Sequence, residues 1–215
     1  MNLFVGTMMR LFLAGVIAAF CIASLQISGL TGARASENSP QVLVGQFHDT
    51  LLKVMRNAKA LGFRGRYSAL APRIKDSFHL PLMVQVTTGS FWRKATDQQQ
   101  DRLIEAFSKV SIGTYASRFS GYSGQTFVTV RQRPGPQKTI LVETKIVNPA
   151  GEDVPLVYVT REIKGTWRII DVLLDSGISE LAVRRSEYRR VLKTKGINAL
   201  IEMLDIKAAK LGAEG

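Results

Sequence analysis

Residues 125–174 read QTFVTVRQRPGPQKTILVETKIVNPAGEDVPLVYVTREIKGTWRIIDVLL. Four segments within them, Gln125–Arg133, Thr139–Asn148, Val154–Lys164 and Trp167–Leu174, are rich in β-branched and aromatic residues, which favour a pleated, half-buried surface. Pro134-Gly135-Pro136, Pro149-Ala150-Gly151 and Gly165-Thr166 separate them. Connections this short join antiparallel neighbours, so the stretch predicts a four-strand meander.

The flanks carry a different period. From Pro40 to Leu61, Val44, Phe47, Leu51, Val54, Met55 and Ala58 recur at helical spacing, and Gly62 and Gly65 predict the end of that helix. Shorter helical pieces are expected around Tyr67–Lys75 and Leu80–Thr87, with Pro72 and Pro81 as punctuation. Thr96 followed by Gln99 is a capping box that starts a helix at Asp97. Its buried stripe is Leu103, Ile104, Phe107, Val110, Ser111 and Tyr115, and it should end near Ser120-Gly121. After the strands, Ser179 opens a helix to about Leu192, and Gly196 breaks it from a last helix through Leu204 and Leu211. Helices packed on one face of a curved four-strand antiparallel sheet make an α+β fold, mainly helical over 36–120, a sheet over 125–175 and helical again over 179–211. Such a curved sheet, wrapped by helices, would enclose a cone-shaped cavity.

The first residues look like an address. Leu11 to Ile22 is unbroken apolar sequence after Arg10, and Ala33-Arg34-Ala35 fits a small-residue cleavage site. Residues 1–35 are therefore expected to be a cleavable export signal, cut after Ala35, leaving 36–215 as a single domain. An uncleaved anchor over Leu11 to Leu30 is the rival reading. The signal holds two of the basic residues and no acidic ones, so the net charge of +12 becomes +12 − 2 = +10 in the mature chain. Cys21, the sole cysteine, leaves with the signal, which excludes a disulfide framework and a thiol nucleophile.

Signs of enzyme chemistry are few. His48 and His79 are far apart and lack metal-ligand spacing, and no G-x-S-x-G, S-x-x-K or phosphate-binding glycine loop occurs. His48-Asp49 reads as a polar pair on a helix surface, and His79 as a structural or surface histidine. Asp171 and Asp175 share a strand face by parity; paired carboxylates suit acid–base work, but a lone strand Asp more often bonds backbone. No metal, cofactor or catalytic set is expected. Arg184, Arg185, Arg189, Arg190, Lys193 and Lys195 fall within one helical stretch opposed only by Glu187. Nucleic acid would be the usual partner of such a patch, but export removes it. Lipid head groups, an anionic membrane surface or an acidic protein remain.

Several segments together are similar to one family. Phe91-Trp92 leads into Ala95-Thr96-x-x-Gln99 with Leu103 and Phe107 after it, followed by Tyr115-Ala116-x-x-Phe119-x-x-Tyr122-x-Gly124. Trp167-x-x-x-Asp171-Val172, Asp175-x-Gly177-Ile178-Ser179, Tyr188-Arg189 and Gly196-Ile197-Asn198-x-Leu200-Ile201-x-x-Leu204 continue in order. The set resembles the MlaC, or toluene-tolerance, family of periplasmic lipid-binding proteins over about Pro40 to Leu204. That resemblance implies an NTF2-like fold with an added helical part. It also implies a non-enzymatic carrier of lipid between an outer-membrane lipoprotein complex and an inner-membrane ABC-transporter component.

The stretch from Ile178 to Arg189 looks like the hopanoid-associated HpnM branch, and Asp175-Ser176-Gly177 is one residue longer than the commoner loop. Phospholipid, hopanoid or both are thus the implied cargo. Strand parity and helix stripes nominate Phe78, Leu82, Val86, Trp92, Phe107, Val110, Phe127, Val142, Val157, Val159, Ile170 and Val172 as the cavity lining. Arg184, Arg185, Arg189 and Arg190 are the expected docking or head-group residues. The alternatives are an NTF2-like enzyme using Asp171 or His79 in an apolar pocket, and a scaffold without a ligand.

Overall fold

The computed structural model describes residues 38–174 and 177–213. The expected export signal with its cleavage site, and Asp175, lie outside the described residues.

Helix α1 spans Pro40–Arg56. The Ser39 hydroxyl accepts from the Val42 amide at 3.3 Å, and Pro40 follows the cap, where its missing N–H costs nothing. The helix stops before the expected Leu61 because Asn57 leaves helical geometry and its side chain donates to the Lys53 carbonyl at 2.8 Å. Helix α2, Ala58–Ser77, begins at once. Gly62 does not end a helix but kinks this one, at φ 57° and ψ −176°, a conformation open essentially to glycine alone. Pro72 lies inside α2, and the expected separate piece around it is part of the longer helix. Helix α3 is Leu80–Thr88, and a 3₁₀ segment, Gly89–Lys94, leads to α4, Asp97–Arg118. Both arms of the predicted capping box form: Gln99 N–H to Thr96 Oγ1 at 3.2 Å, Thr96 N–H to Gln99 Oε1 at 3.0 Å.

The four expected strands are β1 Thr126–Gly135, β2 Thr139–Val147, β3 Val154–Ile163 and β4 Thr166–Leu174. They pair antiparallel in sequence order. The sheet has a fifth member, β5 Ile178–Ser179, hydrogen-bonded to the end of β4. Two residues are too few to show an alternating pattern in sequence. Helix α5, Glu180–Ala213, follows immediately and carries the expected break at Gly196, φ 80° and ψ −174°.

Helix α1 contacts all four long strands, and α4 lies between α2, α3 and α5. The α+β arrangement of helices on an antiparallel sheet is the one the sequence predicts. Phe47 and Phe107 are completely buried, and each such side chain contributes about 1.5–3 kcal/mol by leaving water. Phe47 also meets Phe78 and Tyr115 edge to face, with centroids 5.1 and 5.3 Å apart.

Candidate functional site

A cavity of about 340 Å³ opens where the second half of α4 faces the sheet. Leu156 and Tyr158 of β3, Ile146 of β2, and Val172 and Leu174 of β4 form its sheet wall. Ile74, Phe78, Leu80, Met83, Tyr115 and Phe119 form its helical wall. Its volume falls at the small end of ligand sites, roughly 300–1,000 Å³. Tyr115 is enclosed by protein yet keeps accessible surface, because that surface faces the cavity; burial pushes its hydroxyl well above the usual phenol range.

Polar groups gather at one end: Ser111, Thr114, Arg118, Glu180 and Arg184. Arg184 Nη1 donates to Ser111 Oγ at 2.9 Å, its guanidinium sits 4.9 Å from the Phe107 ring centroid, and its Nε is 3.9 Å from Glu180. Arg118 donates to the same carboxylate at 3.2 Å. A second groove of about 380 Å³ shares Thr114, Arg118, Leu174, Glu180 and Arg184, so these residues form a common wall between an apolar chamber and a more polar one.

Of the nominated lining, Phe78 and Val172 border the cavity. Phe107 and Val142 are sealed in the core with no exposed surface, and Val110 borders only the outer groove. Phe127 packs on His48, stacked at 4.2 Å, instead of lining the cavity. Leu82, Val86 and Trp92 line a separate surface groove with Arg93 and Arg185.

Val157 and Val159 are corrections of parity. Their neighbours Leu156, Tyr158 and Thr160 are the buried residues of β3, so the two valines point to the opposite face. Both faces of this strand are apolar enough to mislead. Ile170 fails for another reason: the register slips between Val159/Thr160 and Asp171/Ile169, leaving Ile170 as the extra residue of a bulge. Ile169 and Val172, three residues apart, are therefore the buried pair.

The acid–base candidates are occupied as helix caps. Asp171 accepts from the Val172 and Leu181 amides at 2.8 and 3.2 Å and from the Ser179 hydroxyl at 2.5 Å, fastening the start of α5 to β4. Burial outweighs those bonds and raises its carboxyl above the ordinary value. His79 accepts from the Leu82 amide through Nδ1 at 3.0 Å, capping α3.

His48 overturns its surface reading. It is buried, and its Nε2 lies 3.0 Å from the Tyr158 hydroxyl, where desolvation lowers its pKa to about 4. Of the four expected docking or head-group residues, Arg184 has a side chain only 15% exposed and sits at the end of the cavity, while Arg185, Arg189 and Arg190 are exposed. Sequence reasoning passed over Arg66 altogether. Its buried guanidinium donates to the Ala116 and Ala58 carbonyls at 2.8 and 3.1 Å, tying α2 to the end of α4.

A profile described as MlaC protein matches residues 45–205, most of the chain. The chain belongs to the MlaC family. Proteins of this family are periplasmic lipid-binding carriers, and the matched range coincides with the Pro40 to Leu204 span of the resembling motifs. The MlaC fold is matched by a solved phospholipid-binding protein from Ralstonia solanacearum, determined in complex with a phospholipid. The TM-score is 0.71 at 22% identity, covering 80% of this chain and 97% of that one. Among the described residues of this MlaC-family chain, no helix is long and apolar enough to cross a membrane.

Proposed function

We propose that this MlaC-family protein carries phospholipid through the periplasm, holding acyl chain in the cavity between α4 and the sheet. The observation that supports the reading is an apolar chamber closed by charged residues at one end only. Each methylene withdrawn from water contributes about 0.8 kcal/mol, so a chain needs no polar recognition to be held. Residues 1–35 direct export and are removed after Ala35, which leaves a carrier free to move between membranes. An inner-membrane ABC-transporter component and an outer-membrane lipoprotein complex are the natural donors and acceptors. The exposed Arg185, Arg189 and Arg190 supply a basic face for an acidic partner or an anionic lipid surface. Hopanoid is the alternative cargo, on the strength of the HpnM-like stretch from Ile178 to Arg189. Release requires the helices to part from the sheet, and Gly62 and Gly196 are the backbone breaks about which they would turn.

Native mass spectrometry on protein purified from its own periplasm without detergent tests this. Near-stoichiometric lipid, with its mass distinguishing phospholipid from hopanoid, is the expected result. An empty protein would sink the carrier reading.

A further inference from the structure

The wall between the two chambers has more donors than the protein uses. Arg184 has five N–H groups, of which Ser111 Oγ takes one and the Tyr188 hydroxyl another; the nearest approach to Glu180, 3.9 Å, is too long for a hydrogen bond. Arg118 spends one on Glu180, and its side chain is 58% exposed. Ser111 Oγ accepts from Arg184 and keeps its own hydrogen. Two guanidinium charges against one carboxylate leave +2 − 1 = +1 at the end of an apolar cavity. Further out, Lys207 and Glu187 pair at 3.7 Å and cancel. The Tyr115 hydroxyl, beside this wall, forms no hydrogen bond with a described residue.

We propose that Arg184, Arg118 and the Ser111 hydroxyl form an anion subsite for the phosphodiester of a bound lipid. The acyl part then lies in the inner cavity and the rest of the head group in the outer groove. The subsite rests on the carrier reading and adds selectivity to it. One negative charge neutralises the wall, and the part-buried guanidinium of Arg184 is less screened than a surface one. The apolar cavity holds the chain, while the wall selects what the chain is attached to. A lipid with a hydroxyl in place of the phosphodiester leaves the positive charge uncompensated.

The test compares phosphatidylglycerol with diacylglycerol of identical chains, each displacing a fluorescent acyl probe from the delipidated mature protein. Phosphatidylglycerol should bind about ten- to a hundredfold more tightly, the range for one or two charge-assisted hydrogen bonds. Arg184→Met and Arg118→Gln should each pull that ratio toward one, weakening phosphatidylglycerol more than diacylglycerol. Because Arg184 also packs on Phe107, the exposed Arg118 provides a variant with little risk to folding. Equal affinities in the unaltered protein, or a ratio that neither variant moves, would overturn the subsite while the carrier survives. Failure to bind either lipid would overturn both. Inorganic phosphate that raises the melting temperature without lipid, and not in the variants, would assign the wall to free phosphate and overturn its lipid role.

Discussion

The two halves of α4 share one helix and one apolar stripe, yet they do different things. Leu103, Ala106, Phe107 and Val110 are buried without a gap. One or two turns on, Thr114, Tyr115, Arg118 and Phe119 face a void of about 340 Å³. Nothing in the spacing changes between them. Helical periodicity reports which side of a helix points inward; the elements opposite determine whether that side meets atoms or space. In a closely packed interior a void is costly, so the distinction matters for the energy of the fold.

The largest effect should come from the sealed half. Phe107→Ala removes a fully buried ring and should cost about 3–5 kcal/mol in denaturant unfolding. A loss below about 1 kcal/mol would mean that this half is not tightly packed.

His48, on the sheet side of α1, comes next. Its imidazole titrates near 4 when folded against 6.5 in the free side chain, so between those values the unfolded chain binds the proton and the folded one does not. Stability is therefore full above pH 6.5 and falls by about 3 kcal/mol as pH drops toward 4. Unfolding curves across that window should show the slope, and His48→Phe should flatten it. A variant with the same slope would move the acid sensitivity elsewhere.

The hollow half should respond in the opposite manner. Leu156→Trp places bulk into existing space, so stability should change by less than about 1.5 kcal/mol while co-purified lipid drops to trace. Normal lipid content would place the cargo outside this cavity. The smallest stability effects, within about 0.5 kcal/mol each, belong to Arg185→Glu, Arg189→Glu and Arg190→Glu. The triple variant should keep its lipid yet deliver it more slowly to anionic vesicles; losing the lipid itself would argue against a docking role.

Much of the framework was legible because local chemistry dictates it. The Thr96–Gln99 capping box starts α4 where the sequence places it, and the Pro- and Gly-rich turns separate the strands as read. Asn57 marks the helix end, and its preference for caps over helix interiors is a local signal outweighed by the apolar stripe that continues to Ala58. In β3 the pattern admitted either face, and Val157 and Val159 pointed to the wrong one. In β4 a single bulge at Ile170 reversed the parity beyond it. No periodicity analysis detects a bulge, since the extra residue looks like any other.

By itself the sequence determined the order and type of the elements, the α+β class and the motifs that mark the family, since each depends on neighbours a few residues away. Tertiary structure alone decided that the cavity lies against the second half of α4. It also drew Arg184 from the basic helix to the cavity wall, buried His48 against Tyr158 and committed Asp171 to holding α5. The reason is physical: a side chain's burial, and the energy of its charge, depend on atoms brought to it from 8 to 110 residues away.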